Sequence, residues 1–194
     1  MLFRPLPENV RIGGKTYRVN TDFRVFMELE RAVIAHQLDA MQIIRRFYHC
    51  IPDDIEAAAD RLMWFYRCGN NPDIEARASS TVSRGYDFEK DADALYQSFM
   101  EAYGIDLYDI RMHWWKFRKL MFGLPENSPF MKLVYWRTAD VSKLDKAQRE
   151  YVLQKRRQFA LQNTGAKMTK EERDQAFLEK IRKRREEAEA SCKK

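Results

Sequence analysis

Glycine, proline and cysteine are scarce in this 194-residue chain, with 7, 6 and 3 copies. So few helix breakers leave long stretches free to run as helix, and the expected fold class is mainly α. Cys50, Cys68 and Cys192 form no CxxC, and an odd number cannot all pair within one chain. They fit a reducing compartment, with Cys50 and Cys68 expected in the core and Cys192 in a tail. A secretory leader is also lacking, because Arg4, Pro5 and Pro7 stand where an apolar segment would have to run. No stretch approaches the roughly 20 apolar residues of a membrane span. The expectation is a chain made and kept in a cytoplasm, with no membrane contact.

Recognisable site chemistry is missing as well. The histidines are His36, His49 and His113, and no HExxH or HxxxH occurs. Neither they nor the cysteines have zinc-site spacing. Asp87, Glu89, Asp91 and Asp93 alternate like the start of a calcium loop, but Ala92 and Ser98 stand where that loop needs Gly and Glu. These acids read instead as a helix N-terminus. There is no GxGxxG, GxxxxGK[ST] or GxSxG. The expectations are no enzyme, no cofactor and no metal.

What is present is a core. The chain is 45% hydrophobic and 13% aromatic. Its charge of +6 is uneven: from Asp140 onward there are 16 Lys and Arg against 10 Asp and Glu, leaving 19 of each in the first 139 residues. Basicity thus belongs to the tail.

Val10 and Ile12 alternate with Arg11, Tyr17 and Val19 alternate with Arg18, and Gly13-Gly14 lies between them. That pattern predicts a β-hairpin over 9–19, which should lean on a helix. Thr21 or Asp22 can cap a helix carrying Phe23, Phe26 and Met27; Glu30 on the same face is either a buried carboxylate seeking an arginine or a solvated edge position, and the solvated edge is the expectation. Helical stripes follow: Ala40 to Ile51, ended by Pro52; Ile55 to Tyr66, with Gly69 as C-cap; Tyr86 to Tyr103, broken by Gly104; and a helix opening at Asp109. Trp115 and Phe122 lie off the stripe of that last helix, so its aromatic face either packs on two sides or stays partly exposed for a partner; packing on two sides is the expectation. Ser128-Pro129 opens a shorter helix, and Ser142-x-x-Asp145 resembles a cap. Asn70 to Gly85 reads as a loop. Thr169-x-x-Glu172 is a capping box opening a charged last helix, expected to project, fray or order on a partner. We therefore expect a compact helical domain over 1–140 with an N-terminal hairpin, and a charged helical extension over 141–194.

The middle of the chain is distinctive. It runs Tyr86-Asp-Phe-Glu-x-Asp91, Tyr96-x-x-Phe99, Tyr103-Gly-Ile-Asp-Leu107, His113-Trp-Trp-Lys-Phe-Arg118 and Gly123-Leu-Pro-Glu126. In this order it resembles the bacteriophage "gp-fifteen" family. Pro5-Leu-Pro-Glu8, the Gly13-Gly14 hairpin, Asn20-Thr-Asp-Phe-Arg24, Arg137-x-x-Asp140 and the Tyr151 to Leu161 stretch extend the resemblance over roughly residues 5 to 163. Genes of that family lie in tail operons, between the major tail protein and the tape-measure protein, and the family is placed with tail assembly chaperones. The resemblance carries no catalytic or ligand residues. It implies a host-cytoplasmic assembly factor that binds the tape-measure protein, and the major tail protein as a second partner, and is absent from the mature virion. The rival readings are a structural virion protein at a tail or neck junction and a nucleic-acid-binding accessory protein using the basic tail.

The candidate partner surfaces are three. One is Trp114, Trp115, Lys116 and Arg118. The second is Tyr135, Trp136 and Arg137. The third is the basic extension, with Lys155, Arg156, Arg157, Arg182, Lys183, Arg184 and Arg185. Glu171, Glu172, Glu179, Glu186, Glu187 and Glu189 interleave with the last cluster, which favours a solvated helix over a phosphate-binding one.

Overall fold

Gly13 and Gly14 both take positive φ, 54° and 80°, as a two-residue turn demands. The turn joins β1 (Asn9–Ile12) to β2 (Lys15–Arg18) in an antiparallel pair, with Val10 opposite Tyr17. The computed structural model describes residues 5–34, 40–69 and 85–161, and Gln175, Leu178, Glu179 and Ile181–Lys183 of the C-terminal stretch. The expected Thr169 capping box, Cys192, and the loop up to residue 84 lie outside the described residues. The protein is mainly helical. It divides into two compact units: Met1–Ala78, Met112–Phe117 and Ala166–Lys194 form the first, and Ser79–Arg111 with Arg118–Gly165 the second.

In the first unit the hairpin buries Val10 and Ile12 on one face and leans on a helix, as alternation requires. Val19 pairs with Tyr48 rather than extending β2. Asp22 accepts the Arg24 N–H at 3.0 Å and so opens α1 (Phe23–Ile34). α2 (Ala40–Phe47) ends at Phe47 and not at the expected Ile51, because Tyr48 pairs with Val19, and Asp54 caps α3 (Ile55–Tyr66) by accepting from the Ala57 N–H. The core is aromatic. Phe26 stacks on Phe65 at 5.5 Å and on Trp114 at 5.0 Å, and meets Phe47 edge-on at 5.7 Å. Among the C-terminal residues described, Ile181 is buried and Arg182 Nε donates to Glu56 Oε1 at 3.0 Å.

Glu30 is not a solvated edge. It is 7% exposed and accepts a hydrogen bond from the Tyr66 hydroxyl at 3.0 Å, so the phenol helps to satisfy the carboxylate that helical spacing turns inward. Nor are Cys50 and Cys68 core side chains: Cys50 is exposed and Cys68 half-buried.

The second unit contains α4 (Ala92–Tyr103), α6 (Pro129–Thr138) and α7 (Lys146–Gln158); α5 (Trp114–Phe122) contributes its residues from Arg118 onward. α6 packs on both α4 and α7. Leu95, Phe99, Met121, Leu124 and Phe130 are buried. Gly104 ends α4 in the left-handed region, φ 63°. Ser128 caps α6 with Pro129 behind it, as read from the sequence.

Two helix starts differ from expectation. α4 begins at Ala92 and not at Tyr86, because Asp87 Oδ1 takes the Glu89 and Lys90 N–H groups and folds that segment into a turn. α5 begins at Trp114 and not at Asp109. There Phe23 N–H donates to Met112 O and Trp114 N–H to Thr21 O, so strand-like pairing competes with the helix. The cap before α7 is Asp145 itself, while Ser142 lies in a 3-10 turn (Val141–Lys143) opened by Asp140.

Candidate functional site

The His113-Trp114-Trp115 block works inward. Trp114 Nε1 donates to Tyr66 O and Trp115 Nε1 to Phe65 O, each at 2.8 Å. Both indoles thus bond carbonyls at the C-terminal end of α3, where intrahelical partners run out; the Phe65 carbonyl also accepts the Cys68 N–H at 3.0 Å. His113 Nε2 meets Pro7 O at 3.0 Å, while the Trp115 N–H donates to its Nδ1 at 3.1 Å. A carbonyl can only accept, so the proton sits on Nε2 and the ring is neutral. Burial holds its pKa below the usual histidine value, outweighing the Pro7 carbonyl and the Glu8 carboxylate, which act to raise it. Trp114 and Trp115 are therefore core side chains. Lys116 is exposed, and the half-buried Arg118 lies over the Phe122 ring at 5.5 Å.

In the second unit Arg137 is also buried. Its Nη1 and Nη2 grip Asp91 Oδ2 and Oδ1 at 2.5 and 2.8 Å, Nε donates to Phe159 O at 2.8 Å, and Nη1 reaches Gly85 O at 3.2 Å. One guanidinium thus ties the end of α6 to the start of α4, the end of α7 and the chain at Gly85. Asp91, read from the sequence as one of several helix-terminal acids, makes no side-chain cap of its own. Its other bond is from the Asp87 N–H at 2.8 Å.

The basic run of α7 divides by position. Arg156 donates to Trp136 O at 2.9 Å and to Ala139 O at 2.6 Å, a cation closing the C-terminal end of α6. Lys155 Nζ lies 5.4, 5.7 and 5.8 Å from the centroids of Trp136, Tyr151 and Phe159. Trp136 is half-buried and stacks on Phe159 at 5.2 Å. Arg157 is exposed, and so are Arg182 and Lys183; Arg184 and Arg185 lie outside the described residues.

Surface apolar groups gather in the second unit. Met100, Tyr108, Phe122, Tyr135 and Tyr151 are all exposed, Tyr108 at 74% and Tyr151 at 51%. Of these, only Tyr135 was a sequence candidate. Phe122 does not pack on the second side that its off-stripe position suggested. Tyr108 escapes a periodicity search because it sits in the turn after Gly104 and on no helical stripe. Among the described residues no group of His, Cys, Asp and Glu could hold a metal, and no helix is long and apolar enough to cross a membrane.

A family model described as Bacteriophage Gp15 protein matches residues 2–161. No curated protein matches the chain, and no solved structure does.

Proposed function

The chain belongs to the bacteriophage Gp15 protein family, and from that premise we propose that it is a tail assembly factor, a binding protein and not an enzyme. Its partner on this reading is the tape-measure protein during tail morphogenesis, with the major tail protein as a second partner. It acts in the cytoplasm of the bacterial host and is absent from the finished particle. What supports the reading within the chain is the surface of the second unit. Five large apolar side chains are exposed there, on helices and turns, and exposed apolar groups are points at which an apolar helix of a partner can be held. The nucleic-acid reading draws less support, because Lys155 and Arg156 are engaged by rings and carbonyls.

Co-expression with the tape-measure protein of the same operon tests the reading, followed by affinity capture and size exclusion. The expected result is a soluble complex, with the tape-measure protein precipitating alone. A tape-measure protein that is soluble unaided and ignores this chain would overturn it. Mass spectrometry of purified particles separates the rival: abundant chain in mature virions would make it a structural component of the tail or neck.

A further inference from the structure

The second unit segregates its charge. Between Tyr86 and Ile110 the acids are Asp87, Glu89, Asp91, Asp93, Glu101, Asp106 and Asp109, against Lys90 alone. Asp91 is consumed internally by Arg137. Glu89, Asp93, Glu101 and Asp109 are exposed. On α4, Asp93, Gln97 and Met100 fall at i, i+4 and i+7, so they share the face opposite the buried Leu95, Ser98 and Phe99. Glu101 flanks that face, and the exposed Tyr108 follows in the next turn.

α7 carries the opposite sign. Lys146, Arg149, Leu153 and Arg157 fall at i, i+3, i+7 and i+11, one stripe about 16 Å long. Its three cations are exposed and form no ion pair among the described residues; the carboxylates beside them in sequence are Glu150 and the capping Asp145. Leu153 is half-buried at the stripe's centre. Arg156 fastens this helix to the end of α6, and Arg137 holds the Phe159 carbonyl beyond it. The stripe is therefore presented on a fixed support.

α4 and α7 both pack on α6. We propose that the acidic, Met100-centred face of α4 on one copy docks on the basic, Leu153-centred stripe of α7 on another copy of this chain. Each surface has an apolar centre and a border in which one sign predominates, and the predominant signs are complementary. The two patches are different, so the contact is heterologous: each copy offers one of each and a third copy can add. Exposed ion pairs are individually weak and screened by salt, so this contact is reversible and strengthens as salt is lowered. The inference concerns the chain alone and does not rest on the tail-assembly reading.

Sedimentation velocity of the full chain over a concentration series tests it, at about 50 mM and about 500 mM salt. The expected result is association that weakens about tenfold across that range. The triple variant Lys146→Glu, Arg149→Glu, Arg157→Glu and the double variant Asp93→Lys, Glu101→Lys should each be monomeric, with circular dichroism unchanged. Mixed together, they should associate again, because the swapped faces are once more opposite in sign. A wild-type chain that stays monomeric at low salt overturns the proposal. So does association that neither set of substitutions alters, or a mixture that stays apart.

Discussion

Removing the Asp91 carboxylate, as in Asp91→Ala, should unfold the second unit at far lower denaturant than wild type. The Arg137 side chain is 7% exposed and its partner 3%. Without Asp91 the guanidinium keeps only the Gly85 and Phe159 carbonyls as acceptors, and a full positive charge remains buried with nothing to offset it. Breaking one side of such a pair costs about 3–5 kcal/mol, a large part of the roughly 5–15 kcal/mol that holds a domain together. With a urea slope of about 2 kcal/mol per M, the midpoint should fall by about 2 M. Arg137→Lys keeps the charge but loses the two-pronged grip, and should fall between the two. The decisive comparison is Asp91→Leu with Arg137→Met. Replacing both charges removes the uncompensated ion, so the double variant should be more stable than the sum of the single losses by about 2 kcal/mol. Trp136 is the second unit's single tryptophan and stacks on Phe159, so fluorescence together with circular dichroism follows the loss. If Asp91→Ala moves the midpoint by less than about 0.5 M, the Arg137 hub does not hold the unit, and the reasoning from burial fails.

Three further expectations follow from single contacts. His113 has its pKa lowered in the folded protein, so below the ordinary 6.5 the unfolded chain takes up the proton first. Its stabilising share is thus complete above 6.5 and is lost as pH falls below it, with a slope of up to about 1.4 kcal/mol per pH unit; His113→Gln should flatten a urea midpoint series between about pH 7 and pH 5, and an unchanged slope would refute the assignment. Trp114→Phe removes the indole N–H from Tyr66 O and volume from a fully buried position, so thermal melts should register a loss of about 2–4 kcal/mol; a loss under about 0.5 kcal/mol would mean the end of α3 does not need this donor. Gly85→Ala would put a Cβ 3.0 Å from Thr138 Cγ2 and 3.1 Å from Val134 Cγ1; overpacking should lower stability by about 1–3 kcal/mol in urea titration, and a neutral or stabilising result would show that α6 yields freely.

The legible parts of the fold were those written in short-range patterns. Gly13-Gly14 between alternating residues, Ser128 before Pro129 and Gly104 after an apolar stripe each impose local geometry without help from distant residues. Long-range pairing was not legible. The helix expected from Asp109 is shortened because the backbone near His113 pairs with Thr21 and Phe23, some 90 positions earlier. Asp91 looked like any acid at a helix start until its partner 46 positions away was known. The candidate surfaces suffered in the same way. Arg156 and Arg157 are neighbours of identical chemistry, yet one closes a helix end and the other meets solvent. Helical phase separates them only once the packed side of α7 is fixed by Val152.

That difference bears on how the function should be probed. The residues that carry the family resemblance most specifically, His113-Trp114-Trp115, build the interior of the first unit. A match over 2–161 therefore reports a shared core in this region before it reports a shared partner. A Trp114 variant that loses a partner would show only that the fold had loosened. Tyr108 and Tyr151 are different: both are exposed, and truncating them should leave the free energy of unfolding within about 0.5 kcal/mol of wild type. If Tyr108→Ser or Tyr151→Ser lowers capture of the tape-measure protein at unchanged stability, the exposed surface of the second unit carries recognition. If both bind as wild type while a charge reversal at Arg182 and Lys183 does not, recognition lies in the C-terminal stretch, and the aromatic surface of the second unit has another use.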